Sequence, residues 1–194
     1  MAKIFCIIGA SCSGKDTIFQ RILEFDKNLT PVVTYTTRPM RVNEKNGKEY
    51  YFVTKKVYNK LKEENKIIEC RSYRTVHGTW HYFTVNDSQI DLTAKKNYIM
   101  INTVEGATKL KKIYKKNLVV IHLLVDDRER LLRSLAREMN GNEDYVEMCR
   151  RFLADTKDFD LEHLEEIGLN DIRVMNKSIP QCVDEVRDII KNKK

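Results

Sequence analysis

Four mainly apolar runs punctuate the chain: Ile4 to Ile8, Tyr98 to Ile101, Leu118 to Val125 and Ile172 to Met175, with His122 and Arg173 as their polar members. None alternates with polar residues, so each predicts a strand covered on both faces. A segment of helical period follows each run, roughly Lys15 to Phe25, Ala107 to Tyr114, Asp127 to Arg137 and Pro180 to Lys191. In the last of these Val183, Val186 and Ile190 line one side, Pro180 stands near the first helical position and Ser178 is placed to cap it. Strand alternating with helix predicts an α/β fold, with a parallel central sheet between helical layers and ligands at the carboxyl ends of the strands.

Two regions break the alternation. From Thr34 to Leu92 the chain is rich in Tyr, Thr, Val and charge, with turn signals at Asn46-Gly47 and His77-Gly78; it reads as a small, mainly β insertion. From Ser134 to Asp155, arginines flank the polar turn Asn140-Gly141-Asn142, which suggests a helical hairpin acting as a mobile lid. The predicted division is a core of residues 1–33, 93–133 and 156–194, an insertion of 34–92 and a lid of 134–155. At 194 residues and 22.9 kDa, the chain suits one core with excursions and is short for two independent domains.

Charge and cysteine content narrow the function classes. The net charge is +7, and its densest run, Lys109, Lys111, Lys112, Lys115 and Lys116, has Tyr114 alone as an interleaved aromatic. With Leu110 and Ile113 assigned to the opposite side, the run reads as the wet face of a helix, and no nucleic-acid partner is expected. The five cysteines (Cys6, Cys12, Cys70, Cys149, Cys182) form no C-x-x-C pair and no metal spacing, so they read as reduced thiols of a cytoplasmic protein. No apolar stretch approaches the roughly 20 residues that span a bilayer, and the Met-Ala-Lys start runs into a strand rather than a signal peptide.

The first strand runs into Gly9-Ala10-Ser11-Cys12-Ser13-Gly14-Lys15-Asp16-Thr17, which is a G-x-x-x-x-G-K-[ST] phosphate loop with one departure. Such a loop aims backbone N–H groups and a helix N-terminus at phosphate oxygens, and Lys15 supplies a cation for the outer phosphates. Asp16 stands where a Ser or Thr hydroxyl would meet magnesium. Two readings of it remain open: it contacts the metal, or it complements the helix dipole. Thr17, one residue on, is turned about 100° around the helix and does not simply replace the hydroxyl.

The second constellation is Val33-Thr34-Tyr35-Thr36-Thr37-Arg38-Pro39-Met40-Arg41, followed by Glu44, Gly47, Tyr50, Tyr51 and Phe52. Arg38 and Arg41, three apart in an extended or turning segment, can close two guanidinium forks on one phosphate, and Tyr50 can add a phenolic donor. Here the chain resembles the guanylate kinase family, whose members follow a phosphate loop with S-x-T-T-R-x-x-R-x-G-E-x-x-G-x-x-Y-x-F. The matching positions are Thr34, Thr36-Thr37-Arg38, Arg41, Asn43-Glu44, Gly47, Tyr50 and Phe52.

The resemblance implies a three-layer P-loop NTPase fold, ATP and Mg²⁺ at the loop, and a nucleoside monophosphate, GMP, as acceptor. It implies that Arg38, Arg41 and Tyr50, with Glu44 in the same motif, hold the acceptor phosphate, while Thr34 and Glu69 face the base. Two alignments of the next segment stand. One sets His77-Gly78-Thr79 at the family's Tyr-Gly-Thr turn and keeps Glu69 in place. The other matches Val76-His77-Gly78 to an earlier Val-His-Gly, puts His81 or Tyr82 at the phosphate and displaces Glu69. The family's Glu-x-Asp-x-Gln-Gly-Ala strand reads Ile101-Asn102-Thr103-Val104-Glu105-Gly106-Ala107 here, so Thr103 replaces the aspartate. Paired with Asp16, that change suggests an exchange of roles in holding Mg²⁺. Arg133, Arg137 and Arg151 resemble the lid arginines that close on the transferring group, and Asn176 resembles the asparagine near the adenine of ATP. Two other readings are a kinase of another small phosphate, such as ribose 1,5-bisphosphate, and a non-catalytic guanylate-kinase-like binding module.

Overall fold

Strand β1 (Ile4–Ile8) is 0 % exposed at every position and lies at the centre of the fold. The structure, a computed structural model, describes residues 2–40, 44–75, 78–140, 144–170 and 172–193. With β2 (Leu29–Pro31), β7 (Asn97–Ile101), β8 (Leu118–Leu124) and β9 (Arg173–Met175), β1 forms a five-stranded sheet in the order β2-β7-β1-β8-β9. All its pairings are parallel; Ile4 faces Tyr98 on one side and Leu118 on the other. Alternate residues of β1 go to opposite faces. Phe5 and Ile7 meet Ile18 and Ile22 of α1 (Lys15–Phe25) and Val183, Val186 and Ile190 of α7 (Ile179–Asn192). Ile4, Cys6 and Ile8 meet Ala107 and Leu110 of α3 (Val104–Tyr114) and Leu164 of α6 (Leu161–Glu166). Burying each such isoleucine contributes about 2 kcal/mol, so this double cover anchors whatever follows the strand.

The expected strands and helices are present, with ends shifted for local reasons. α3 begins three residues before Ala107, because the Thr103 Oγ1 accepts the Gly106 N–H at 3.2 Å and caps the helix there. α4 (Asp127–Met139) runs past Arg137, its start capped by Asp126, which accepts from the N–H groups of Arg128 and Glu129. Ser178 stands at the α7 N-cap, but its hydroxyl donates to the Gln181 side chain at 3.1 Å rather than capping a backbone N–H. Ile113 is 53 % exposed, so only Leu110 of the two anchors the inner side of α3.

The insertion is a second sheet, ordered β4-β3-β6-β5, from β3 (Tyr35–Thr36), β4 (Tyr51–Phe52), β5 (Ile67–Thr75) and β6 (Gly78–Val85). It also carries a helix absent from the sequence reading, α2 (Lys55–Glu63), capped by the Thr54 hydroxyl. Val57, Tyr58 and Leu61 make only a short apolar strip on α2; the Tyr58 ring is buried with Phe83 and Val85, and Leu61 packs against the same cluster. At the Asn46-Gly47 turn, Gly47 takes φ +81° and donates to the Tyr50 carbonyl at 2.8 Å. The β5–β6 hairpin pairs Thr75 with Gly78, and Val76 and His77 of its turn lie outside the described residues.

α4 and α5 (Tyr145–Asp158) follow the expected helical pairing around the Asn140 turn, of which 141–143 lie outside the described residues. α4 is turned against its hydrophobic pattern: Leu131, Leu132 and Leu135 are exposed while Arg130 and Ser134 are buried. Among the described residues no helix is long and apolar enough to cross a membrane.

Candidate active site

The loop from Gly9 to Lys15 leaves β1 at its carboxyl end and enters α1. A Cβ on Gly9 would meet the Leu123 carbonyl oxygen at 2.8 Å, and one on Gly14, where φ is +90°, would meet Asn176 Nδ2 at 2.6 Å. Both positions therefore demand glycine. The loop is braced by Ser13 N–H to the Ala10 carbonyl at 3.1 Å and by Asn176 Nδ2 to the Ser13 carbonyl at 2.8 Å. Lys15 Nζ donates to the Ala10 carbonyl at 3.1 Å, and the Ser11 N–H donates to Asp155 Oδ2 at 2.7 Å. Cys12 takes a left-handed φ of 62°. The Ser13 hydroxyl and Asn176 Oδ1 are buried with no hydrogen-bond partner among the described residues. Asn176, expected beside the adenine, is thus built into the loop's own support.

Desolvation pulls the Lys15 pKa below the usual lysine value; Asp16, Asp155 and Cys12 oppose the fall, while the Arg137 charge adds to it. Asp16 and Thr17 are exposed in the first turn of α1. Among the described residues no cluster of three or more His, Cys, Asp or Glu could hold a metal. Asp16, the acidic residue in the first turn of the loop's helix, suits magnesium that arrives with phosphate oxygens and water rather than a resident all-protein cage.

On the insertion, Arg38 is 5 % exposed. Its Nη1 and Nη2 grip Glu44 at 2.9 and 2.7 Å, and Nη1 also reaches the Pro39 carbonyl at 2.7 Å. Burial opposes the charge, but Glu44 and Tyr82 outweigh it and hold the Arg38 pKa above its ordinary value. The guanidinium lies 5.8 Å from the Tyr50 ring and 5.4 Å from that of Phe52. Tyr50 meets Tyr82 edge-on at 5.6 Å, and Tyr82 meets Tyr73 at 5.5 Å. Burial pushes the Tyr50 phenol up to about 12, with Tyr82 and the Asp16 carboxylate adding to the effect. Arg41, expected beside Arg38, lies outside the described residues, as does His77.

Glu69 is 6 % exposed; the Thr84 hydroxyl donates to its Oε1 at 2.6 Å and Asn102 Nδ2 at 3.3 Å. Burial raises its pKa against the pull of Thr84, Asn102 and Lys109. Thr34 is half-buried, and its carbonyl accepts the Tyr51 N–H. The structure brings Tyr82 to Arg38 and keeps Glu69 at the core sheet, features that the two sequence alignments had set against each other. Thr79 is exposed near the hairpin tip opposite Arg74, and His81 stacks on Tyr58 at 4.1 Å; neither joins the Arg38 cluster.

Arg133 lies beside the loop, its Nη1 3.9 Å from the Cβ position of Gly14. It pairs with Glu129 at 3.0 Å, and Arg137 sits close enough to Lys15 to repel its charge. Arg151 and Arg150 both hold Glu147, whose carboxyl is pulled down to about 2 by the Arg150 hydrogen bonds and then by Arg151. Sequence reasoning missed Asp155, Arg130, Thr84 and Asn102. The signal available for Arg130 and Ser134 was their i, i+4 spacing on one side of α4.

Amides and a desolvated lysine converging on one loop, with arginines facing it from other segments, meet a need peculiar to polyphosphate chemistry: charge must be held without water. The fold and loop place the molecule among the P-loop phosphotransferases. The comparisons are narrower: a family model for guanylate kinase matches residues 1–193, and the chain belongs to the guanylate kinase family. It is 29 % identical over 193 residues to a guanylate kinase of Porphyromonas gingivalis, covering 98 % of this chain and 97 % of that one. A guanylate kinase of Thermotoga maritima is 27 % identical over 197 residues, covering 99 % of this chain and 87 % of its own length. The crystal structure of a guanylate kinase from Anaplasma phagocytophilum superposes with a TM-score of 0.73 at 21 % identity, over 99 % of this chain and 86 % of the other.

Proposed function

We infer that the protein transfers the terminal phosphoryl group of ATP to GMP, yielding ADP and GDP. Beside the family match, one observation carries this reading: the loop between β1 and α1 demands glycine at Gly9 and Gly14 and folds Lys15 back onto the Ala10 carbonyl at 3.1 Å, the cradle a triphosphate needs. An oxygen of the GMP phosphate forms a bond to the γ-phosphorus as the bond to the β–γ bridging oxygen breaks, and ADP leaves with that oxygen. The attacking oxygen is already anionic, so the protein's task is alignment and charge neutralisation rather than strong base catalysis. The Gly9 to Gly14 amides and Lys15 hold the donor, Arg38, Arg41 and Tyr50 the acceptor phosphate, and Arg133, Arg137 and Arg151 close on the group in flight. The division into core, insertion and lid assigns these sets to parts that close together and exclude water. A cytoplasmic setting suits the nucleotide substrates.

Glu69 gives the acceptor site its base preference: a carboxylate accepts from both guanine N1–H and the 2-amino group, which adenine does not offer. In a panel of GMP, AMP, UMP and ribose 1,5-bisphosphate, kcat/KM for GMP exceeds the others by at least about a hundredfold, and Glu69→Gln removes most of that margin. Faster turnover of the ribose bisphosphate, or of none of the panel, would overturn the assignment.

Magnesium, when bound with ATP, neutralises charge on the phosphate oxygens; Asp16 and the Thr103 hydroxyl are the groups that would hold it, directly or through water. Asp16→Ser and Thr103→Asp each shift the Mg²⁺ concentration for half-maximal rate by about tenfold or more, and the double variant returns toward the parent. Additive shifts without rescue would show that the two residues do not exchange roles.

A further inference from the structure

Asp155 belongs to neither phosphate-holding set, yet it is the side chain that takes a backbone donor of the loop. Its Oδ2 accepts the Ser11 N–H at 2.7 Å and lies near enough to Lys15 to act on the lysine's charge. The same oxygen stands 3.6 Å from Arg130 Nη1, short of a hydrogen bond. Arg130 is 3 % exposed, with its guanidinium 3.8 Å over the Phe152 ring. Nη2 reaches Asp127 at 3.0 Å and the Thr156 hydroxyl at 3.4 Å, while Nε and Nη1 have no hydrogen-bond partner among the described residues. Beside this pair opens a cavity of about 230 Å³ bounded by Ala10, His122, Arg130, Asp155 and Phe159.

A buried guanidinium with spare donors is costly unless something uses them. The carboxylate beside it needs to travel only from 3.6 Å to an ordinary charge-assisted separation of about 2.8 Å to do so. We propose that Asp155 stands in for a phosphate oxygen on the loop and that an arriving triphosphate displaces it onto Arg130, which is its receiving partner. Asp155 thereby competes with the nucleotide for the Ser11 N–H, and Arg130 lowers the cost of yielding it. Asp155 is a positioning residue: it acts through the loop amide and the guanidinium, and it sets nucleotide affinity. The inference rests on the loop being the triphosphate site and goes beyond the assignment of donor and acceptor.

Two substitutions test it through effects of opposite sign. Asp155→Asn keeps the shape and removes the competing charge, so ATP and inorganic tripolyphosphate bind at least about fivefold more tightly by calorimetry. GMP binding is unchanged. Arg130→Met removes the receiving partner, so Asp155 stays on the amide and the same two ligands bind at least about fivefold more weakly. The double variant follows Asp155→Asn. A purely structural role for the pair predicts weaker binding in both variants together with lower melting temperatures. Equal or weaker ATP binding by Asp155→Asn overturns the proposal, and that variant decides alone if Arg130→Met fails to fold. Should the parent protein bind neither ATP nor tripolyphosphate, the reading of the loop fails instead, an outcome separate from parent-like binding by the variants.

Discussion

With Lys15 replaced by methionine, kcat falls at least about a thousandfold while the melting temperature stays within about 3 °C of the parent. Methionine preserves most of the stem, and the loop keeps its other braces, the Ser13 N–H to Ala10 bond and the Asn176 bond to Ser13. What is lost is a desolvated positive charge beneath the phosphates, and desolvation makes that charge effective: with little water to screen it, it acts more strongly on the developing negative charge. Removing a partly desolvated cation also relieves a cost in the folded state, so stability should not follow activity down. A coupled assay at saturating ATP and GMP, read beside a thermal melt, checks both halves. Activity within tenfold of the parent would remove Lys15 from the phosphates.

The second large effect is expected at Arg38. Arg38→Met raises the KM for GMP and lowers kcat/KM at least about a thousandfold. It also destabilises the fold by about 2 kcal/mol, because it removes both charge-assisted hydrogen bonds that Arg38 makes to Glu44. The two consequences separate when Glu44→Gln is added. The double variant no longer holds a carboxylate that has lost its arginine and recovers part of the lost stability, yet it remains as poor a catalyst as the single one. Urea unfolding with GMP kinetics on all three variants provides the comparison, and recovery of activity with stability would make Arg38 a scaffold residue. Glu44 has a second part in this account. Gripping both terminal nitrogens, it pre-aims the guanidinium, so little side-chain entropy remains to be lost when phosphate arrives.

Four of the five parallel strands were legible because they carry mainly apolar runs, while β2, Leu-Thr-Pro, is too short to show one; the loop was legible because few sequences place two glycines and a lysine at that spacing after such a run. α2 was hidden because its apolar strip, Val57, Tyr58 and Leu61, spans barely one turn, too short for a helical period to stand out from the β-rich segment around it. Arg130 was hidden for the opposite reason. Leu131, Leu132 and Leu135 suggest an apolar face, but the helix turns them outward because Arg130 finds Phe152 and Asp155 inside, and no short sequence window contains those residues together with the loop. Asn176 was singled out through the family resemblance as a residue near the adenine; its bond back to the Ser13 carbonyl is a contact that no sequence pattern announced. Glu69 and Thr84 show what pairing register adds: fifteen residues apart in the chain, they face each other across β5 and β6.

The tether between Asn176 and Ser13 joins residues 163 positions apart. The nucleotide cradle is therefore not a portable peptide. Transplanting Gly9 to Thr17 onto another strand and helix would carry the donors but leave Gly14 without the amide that fills the space beside it. A graft that works must bring its remote strut along, and protein engineers building such cradles should treat the two distant stretches as one cassette.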